Sequence, residues 1–311
     1  MRYIIQENES GKTVKDVLLC NIGISVSFLR TLKFIENGIM LNGAKVTVRK
    51  QVLCGDVLDI AVEDEREGSR LTPTELSVDV IYEDSELVVP SKPANMPTHP
   101  SRDHHGDTLA DALAYRYRDS SLPFVFRPIN RLDRNTSGLT LIARNRISAA
   151  KLSDSMRTGR IKKRYLAILD GVPPEKSGTI KTHIRRTAES IIVREVCDES
   201  DGDYALTRYT LLAERDGRSL VLASPETGRT HQLRVHFAHI GCAILGDDMY
   251  GGASDLIERH ALHAALLSFP HPSDDRELTL LAPLPDDMKE LATRLFDIDT
   301  DELVGSLGAL I

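Results

Sequence analysis

Short strand patterns dominate the chain from Val78 onwards, and they follow one another too closely to have a helix between every pair. Stretches that qualify as strands lie at 78–82, 87–89, 138–143, 165–169, 191–196, 204–212 and 219–223. In this part of the chain, helical periodicity is limited to three segments: 107–115, where Asp107 is the expected N-cap, 147–156 and 231–239. Because a parallel sheet needs a crossover helix between successive strands, this order predicts a large mixed, mainly antiparallel sheet flanked by helices.

A charged segment with Gly and Pro, from Glu63 to Pro73, separates this part of the chain from a smaller N-terminal one. Apolar spacing and turn residues in the smaller part predict two helices, at 14–18 and 26–35, and three strands, at 38–43, 45–48 and 55–60. We therefore expect an α+β chain with a small α+β domain at 1–65, a linker at 66–75 and a large domain at 76–311.

The four cysteines are widely scattered and form no C-x-x-C pair: Cys20, Cys54, Cys197 and Cys242. This spacing argues against a disulfide scaffold or a cysteine zinc cluster and is typical of a reducing compartment. The N-terminus has no signal-type apolar core, and the chain has no apolar run long enough to span a bilayer. We therefore expect a cytoplasmic protein that is neither secreted nor embedded in a membrane.

Charge is distributed unevenly along the chain. The formal net charge is −7, which argues against a protein that coats nucleic acid without specificity. Between Val125 and Tyr165, however, eleven Lys and Arg face only two acids, so this stretch carries a net charge of +9. Acids accumulate elsewhere, at 63–67 and from Asp274 to Glu302, and after Asp286 we expect a solvated C-terminal segment. The basic stretch is either a solvated surface or a footprint for a phosphate backbone, and charge alone does not decide between them.

The most informative segment is 127–144, which consists of a polar, arginine-rich turn with Asp133 at its centre and then a strand of alternating apolar residues. In one interpretation Asp133 is an ordinary turn carboxylate neutralised by Arg131 and Arg134. In the other it is a reactive carboxylate in a basic cleft, where neighbouring cations favour its charged form and make it available as a nucleophile or base.

Two further segments carry candidate functional residues. Arg229 lies on a Thr-Gly-Arg turn that leads into a helix, a position that attracts anions. His231, His236 and His239 follow it, but their spacing is poor for a metal site, so we expect helix-face or RNA-contacting histidines and no bound metal. Tyr165 follows three cations and is either a core-edge tyrosine or a stacking platform for a base.

Taken together, these segments resemble one known family. The stretch 130–144 resembles the catalytic motif of the RluA-type pseudouridine synthases. Other motifs of that family are similar to 80–100, 163–167, 227–241, 245–251 and 261–272, in the same order along the chain. Residues 12–60 resemble the S-four RNA-binding domain that many members carry in front of the catalytic domain.

The resemblance implies a role for individual residues. It makes Asp133 the catalytic aspartate and Arg229 the arginine that pairs with it. Tyr165 would lie beside the uracil ring, Leu262 would pack against the base, and Arg131 would enter the helical stack that the uridine leaves. Further RNA-binding candidates are Arg134, Lys162, Lys163 and Arg164. This chain has Asn130 where many members have His.

The resemblance also implies an activity: isomerisation of uridine in structured RNA, with large-subunit ribosomal RNA favoured over tRNA, and without metal or cofactor. The protein would act as a monomer. Base flipping is required because a base stacked in structured RNA cannot otherwise be reached. The alternative hypothesis is a non-catalytic RNA-binding factor for ribosome assembly.

Overall fold

The computed structural model describes residues 1–24, 26–61, 71–101, 103–120, 124–253 and 255–310, and it contains two separate β-sheets. Half of the predicted linker, residues 66–70, lies outside these ranges, so the proposed division into domains remains a prediction. Within the described ranges, no helix is both long and apolar enough to cross a membrane.

The N-terminal sheet is small and antiparallel, with the strand order β1-β4-β2-β3. Its strands are β1 (Arg2–Ile4), β2 (Ile39–Leu41), β3 (Ala44–Lys45) and β4 (Val57–Ile60). The two predicted helices are present as α1 (Val14–Asp16), which continues as a π-helical turn to Asn21, and α2 (Val26–Leu32). Asn42 and Gly43 connect β2 to β3 with φ of 50° and 79°, the backbone of a tight hairpin turn that Asn-Gly adopts readily.

The second sheet is much larger, and twelve described strands belong to it. In chain order they are β5 (Asp79–Glu83), β6 (Leu87–Lys92), β7 (Arg127–Pro128), β8 (Ser137–Leu139), β9 (Ile142–Ala143), β10 (Lys162–Leu169), β11 (Ser177–Arg186), β12 (Arg194–Cys197), β13 (Asp203–Arg215), β14 (Arg218–Pro225), β15 (Leu262–Pro270) and β16 (Glu277–Leu281). Most neighbours are antiparallel, whereas β15 runs parallel to β8. The predicted mixed, mainly antiparallel sheet is confirmed.

Five α-helices of the described ranges accompany this sheet: α3 (Leu109–Arg116), α4 (Arg146–Arg157), α5 (Gln232–His239), α6 (Asp286–Phe296) and α7 (Thr300–Ser306). The predicted N-cap of α3 is wrong by one residue. The Thr108 hydroxyl accepts from the backbone N–H of Asp111, whereas the Asp107 carboxylate pairs with His104 at 2.6 Å. Threonine and aspartate are both favoured N-cap residues, so residue type alone did not show whether the cap is Asp107 or Thr108.

Two other sequence-based expectations are corrected by burial. The predicted strand at 191–196 begins only at Arg194, because Ile191 and Ile192 lie in a loop and are 78% and 54% exposed. The acidic C-terminal segment is not simply solvated. Its helix α6 buries Met288, Leu291, Ala292 and Phe296, which recur at helical spacing and pack into the core of the large sheet.

The large sheet and the N-terminal part are in direct contact through α4. Ile147 belongs to the same buried cluster as Val14, Leu18 and Leu29, and the Arg146 guanidinium lies 5.3 Å from the ring centroid of Phe28. One end of α4 is therefore anchored to the N-terminal part, while Leu152 belongs to a buried cluster with Leu139 and Ala143, on the strands that follow the arginine-rich turn.

Candidate active site

The loop between β7 and β8 carries Arg131, Asp133 and Arg134. Buried polar side chains fix its backbone through hydrogen bonds. The Thr98 hydroxyl donates to the Leu132 carbonyl at 2.8 Å and accepts from the Leu132 N–H at 3.3 Å. Because both backbone groups next to Asp133 are fixed in this way, the carboxylate starts from a rigid position.

Lys92 is a second support of this loop, and sequence inspection gave it no such role. Its side chain is fully buried, and its Nζ donates to the carbonyls of Pro93, Met96 and Arg134 at 2.8, 2.8 and 3.0 Å. Burial lowers the pKa of Lys92 to about 7, while the negative charge of Asp133 opposes this shift. Lys92 lies two residues after the apolar run 87–90 of strand β6, and this position was the signal for a buried, hydrogen-bonded lysine.

Asn130 fixes the start of the loop to the strands that follow it. Its side chain is buried, its Oδ1 accepts from the Leu141 N–H at 2.7 Å, and its Nδ2 donates to the Leu139 carbonyl at 3.3 Å. The amide thus satisfies one donor and one acceptor of the backbone near the loop that carries Asp133. Asn130 is therefore a structural support of the loop.

We expect the Asn130→Ala variant to lose about 1–3 kcal/mol of unfolding free energy, because the Leu141 N–H would be left buried and unpaired. Urea denaturation of the purified protein measures this loss. Asn135→Ala is the matched control, since the Asn135 side chain makes no hydrogen bond to any described residue, and we expect a change within about 0.5 kcal/mol. Equal effects of the two substitutions would show that the Asn130 amide is not a support.

Asp133 faces two cationic or potentially cationic side chains from the start of α5. Its Oδ2 lies 3.7 Å from Arg234 Nη1 and 3.9 Å from His231 Nε2, and its side chain remains 30% exposed. The carboxylate is therefore open to a ligand on one side and faces a guanidinium on the other.

Arg234 is itself held in place by a buried ion pair. Its Nε and Nη2 donate to the two Asp247 oxygens at 2.7 and 2.8 Å, and Asp247 is fully buried. The guanidinium carbon also lies 4.9 Å from the ring centroid of Tyr250. This bidentate pairing fixes the plane of the guanidinium and turns its third nitrogen towards Asp133.

The predicted pairing of Arg229 with Asp133 is wrong. The Arg229 Nε donates to the Tyr204 carbonyl at 3.0 Å, and its Nη1 lies 3.8 Å from Asp203, at the start of β13. Arg234 occupies the expected place because α5 begins at Gln232, so residues 231 and 234 lie one turn apart on the same helix face. The i, i+3 spacing of His and Arg was the signal that could have identified this pair.

A cleft of about 630 Å³ opens in front of Asp133, within the size range of ligand pockets. Buried Tyr165 and Leu262 line its inner wall, and Arg229 is also among its lining residues. Burial and the nearby charge of Asp133 raise the pKa of Tyr165, so the phenol stays neutral. The cleft thus combines one carboxylate with an aromatic and an aliphatic surface, which suits a planar ring held beside an acid.

The predicted cations are not all directed at this cleft. Arg131 and Arg134 are exposed at its rim and make no side-chain hydrogen bond or ion pair within the described ranges. Lys163 lines the cleft together with Tyr165, because alternate residues of β10 share a face. Lys162 and Arg164 point to the opposite face of the sheet, where Arg164 donates to the Ser224 hydroxyl at 3.2 Å.

The three histidines of the second segment are separated in the structure. His236 is buried between Thr182 and Thr207, with both ring nitrogens 2.9 Å from a hydroxyl, and burial lowers its pKa to about 4. His239 is exposed at the end of α5, and His231 faces Asp133. Among the described residues, no group of three or more His, Cys, Asp or Glu side chains is arranged to hold a metal ion.

The sequence is similar to known proteins over most of its length. The sequence model of the RNA pseudouridylate synthase family matches residues 86–239, which include Asp133, Tyr165 and Arg234. The uncharacterized RNA pseudouridine synthase YjbO of Bacillus subtilis is 35% identical over 270 residues, which cover 87% of this chain and 95% of that protein. Ribosomal large subunit pseudouridine synthase D of Haemophilus influenzae is 31% identical over 311 residues, covering 94% and 93%.

A solved structure leads to the same family. The human protein RNA Pseudouridylate Synthase Domain Containing 1 superposes with a TM-score of 0.61 at 28% identity, covering 78% of this chain and 98% of that one. Sequence identity above 30% over nearly the whole length of curated relatives accompanies this shared fold. The chain therefore belongs to the RluA/RluD-like family of RNA pseudouridine synthases, which are isomerases.

Proposed function

We propose that this protein isomerises specific uridines in structured RNA, with large-subunit ribosomal RNA as its substrate in preference to tRNA, and that Asp133 is its catalytic residue. The observation that carries the proposal is the placement of the Asp133 carboxylate beside Arg234, in a cleft lined by Tyr165 and Leu262. The substrate class rests on the relatives named for the large ribosomal subunit.

The reaction needs little from the protein beyond a carboxylate and a shaped cleft. The bond between N1 of uracil and C1′ of ribose breaks, the ring turns, and a bond forms between C5 and C1′. C5 loses its proton and N1 gains one, so the reaction is an isomerisation. Asp133 can serve by attacking C1′ or by removing a proton from the sugar, and Arg234 would stabilise the carboxylate whenever it is ionised. Tyr165 and Leu262 would hold the detached ring while it turns.

To reach the cleft, the target uridine must leave its helical stack. Unstacking a base costs a few kcal/mol unless another group fills the space. Arg131 is suited to that task, because its planar guanidinium is exposed next to the cleft and is not tied to another described side chain.

We expect Arg131→Ala to lower the rate of pseudouridine formation at least about tenfold when the target uridine lies in a duplex, and much less when the same uridine is unpaired. Single-turnover assays on two RNA transcripts that differ only in the pairing of that uridine measure the effect. Arg160→Ala removes an equal charge from the same basic stretch but at the Asp275 ion pair, and it should change neither rate. Equal losses on paired and unpaired RNA would exclude the stacking role.

The rival proposal is a non-catalytic RNA-binding factor for ribosome assembly. Mapping pseudouridine in ribosomal RNA and tRNA, from cells with and without this protein, separates the two. Loss of defined sites, restored by the wild-type protein and not by Asp133→Asn, supports the enzyme and identifies the substrate. If every site persists in cells that lack the protein, the assembly factor becomes the better account.

We further propose that residues 1–65 form an S-four RNA-binding domain that helps a monomeric enzyme to select its RNA. A small antiparallel sheet with two short helices supports this assignment. Exposed cations on this part of the chain would contact the phosphate backbone: Lys15, Arg30, Lys33, Lys45, Arg49 and Lys50.

A further inference from the structure

His231 lies between Asp133 and the ring of Tyr250. Its Nε2 is 3.9 Å from Asp133 Oδ2, and its Nδ1 is 2.8 Å from the Tyr250 hydroxyl. The side chain is only 9% exposed, so the ring has little freedom to turn away from either neighbour. Both ring nitrogens therefore face a specific group, one of which is the proposed catalytic carboxylate.

The hydrogen-bond pattern around Tyr250 determines which nitrogen carries the proton. The Tyr250 oxygen already accepts the backbone N–H of Arg194 at 2.9 Å. A phenol has one proton to donate, and His231 Nδ1 is the acceptor that the described residues offer to it. If the phenol proton is donated to Nδ1, the proton of the neutral imidazole lies on Nε2, directed at Asp133.

The backbone of His231 supports a role for its side chain. The residue immediately precedes α5 with φ of 57° and ψ of 16°, a left-handed conformation that glycine adopts at lower cost. A non-glycine residue in this conformation next to a cleft points to function, since only the surrounding contacts compensate for the strain.

We propose that His231 is a positioning residue for Asp133 and that Tyr250 locks it as the Nε2–H tautomer. This inference rests on the proposed function of Asp133. His231 Nε2 and Arg234 Nη1 both lie nearest to Oδ2 of the carboxylate, which leaves Oδ1 as the oxygen directed at the substrate. At 3.9 Å the imidazole N–H is not yet hydrogen-bonded to Oδ2, and contacts of this kind shorten when a ligand closes the site.

The surroundings favour the neutral imidazole that this role requires. Burial lowers the pKa of His231, and the cations near it act in the same direction, while the carboxylates oppose the shift. The charged and titratable groups that face the ring are Asp133, Arg194, Arg234, Asp247, Tyr250 and His260.

Nitrogen NMR of the full-length protein labelled with ¹⁵N-histidine tests the tautomer without any RNA. In the wild type we expect His231 Nδ1 to show the shift of an unprotonated nitrogen and Nε2 that of a protonated one. In Tyr250→Phe, which deletes only the hydroxyl, the two signals should move towards the average of both tautomers. A protonated Nδ1 in the wild type, or an unchanged spectrum in the variant, would overturn the proposal.

Kinetics test the positioning role. The probe is an unmodified transcript of bacterial large-subunit ribosomal RNA carrying tritium at C5 of uridine, and the readout is tritium release in a single turnover. We expect Tyr250→Phe and His231→Ala to lower the rate about tenfold while RNA affinity changes less than about twofold. His231→Gln, which keeps a donor near the Nε2 position, should recover most of the rate.

Tyr117→Phe is the matched control, because it also deletes a hydrogen-bonded phenol hydroxyl, the one that donates to Glu83 at 2.7 Å, but away from the cleft. Its rate should equal that of the wild type. If the wild type releases no tritium, or Asp133→Asn releases it normally, the proposed function fails. If Asp133→Asn is inactive while Tyr250→Phe and His231→Ala react at the wild-type rate, only the positioning role fails.

Discussion

Replacing Asp133 with asparagine is expected to lower the rate of pseudouridine formation at least about a thousandfold while RNA affinity changes less than about threefold. The amide has the shape of the carboxylate and can stay in the loop held by Thr98 and Lys92. It cannot attack the sugar or accept its proton as a carboxylate does, because it carries no negative charge. Single-turnover assays and filter binding on one RNA transcript separate the two quantities.

The control for this prediction is Asp154→Asn. Asp154 is the other acid of the basic stretch, but its 61% exposed side chain pairs with Arg157 on α4. The substitution changes the net charge equally and should leave the rate within about twofold of the wild type. An Asp133→Asn enzyme as fast as the Asp154→Asn enzyme would show that the catalytic group lies elsewhere.

The second large effect is expected at Arg234. Arg234→Met should lower the free energy of unfolding by about 3–5 kcal/mol, since Asp247 would remain fully buried without its partner. Activity should fall with it, because Asp133 loses the only guanidinium within 4 Å among the described residues. Urea denaturation gives the stability and single-turnover kinetics give the rate.

Two further variants separate stability from catalysis at this site. Arg229→Met, at the arginine that the sequence motif favoured, should cost less than about 1 kcal/mol because that side chain is 41% exposed. The double variant Arg234→Met/Asp247→Leu should recover much of the lost stability, since no buried charge remains, but not the activity. A stable and fully active double variant would mean that Arg234 only neutralises Asp247.

Much of the architecture could be predicted from local sequence. The strands β10, β13 and β14 contain alternating or continuous apolar residues, which are typical of strands. Helix α4 has apolar residues at helical spacing and Asn145 as its N-cap. Strand β15 was missed because it is buried throughout, so its sequence lacks the alternation of a half-exposed strand. The exposed Ile191 and Ile192 misled for the opposite reason, because apolar residues in a loop imitate a buried strand.

In the candidate site, too, some features could be predicted from the sequence and others could not. Asp133, Tyr165 and Leu262 were identified by motif, since each lies in a short segment whose residue types carry the chemistry, and all three line one cleft. The partner of Asp133 was assigned to the wrong arginine. Arg229 and Arg234 are close together in the sequence, and only the direction of α5 decides which guanidinium reaches the carboxylate.

The sequence by itself therefore determined the mainly antiparallel fold, the family and the acid at the centre of the site, because apolar period and short motifs are local properties of the chain. Tertiary structure alone decided the surroundings of that acid. Lys92 beneath the loop, Asp247 behind Arg234 and Tyr250 behind His231 come from distant segments. Their effects depend on distances of a few ångströms and on burial, because burial strengthens charge–charge interactions and hydrogen bonds. No single stretch of residues determines these distances or the burial.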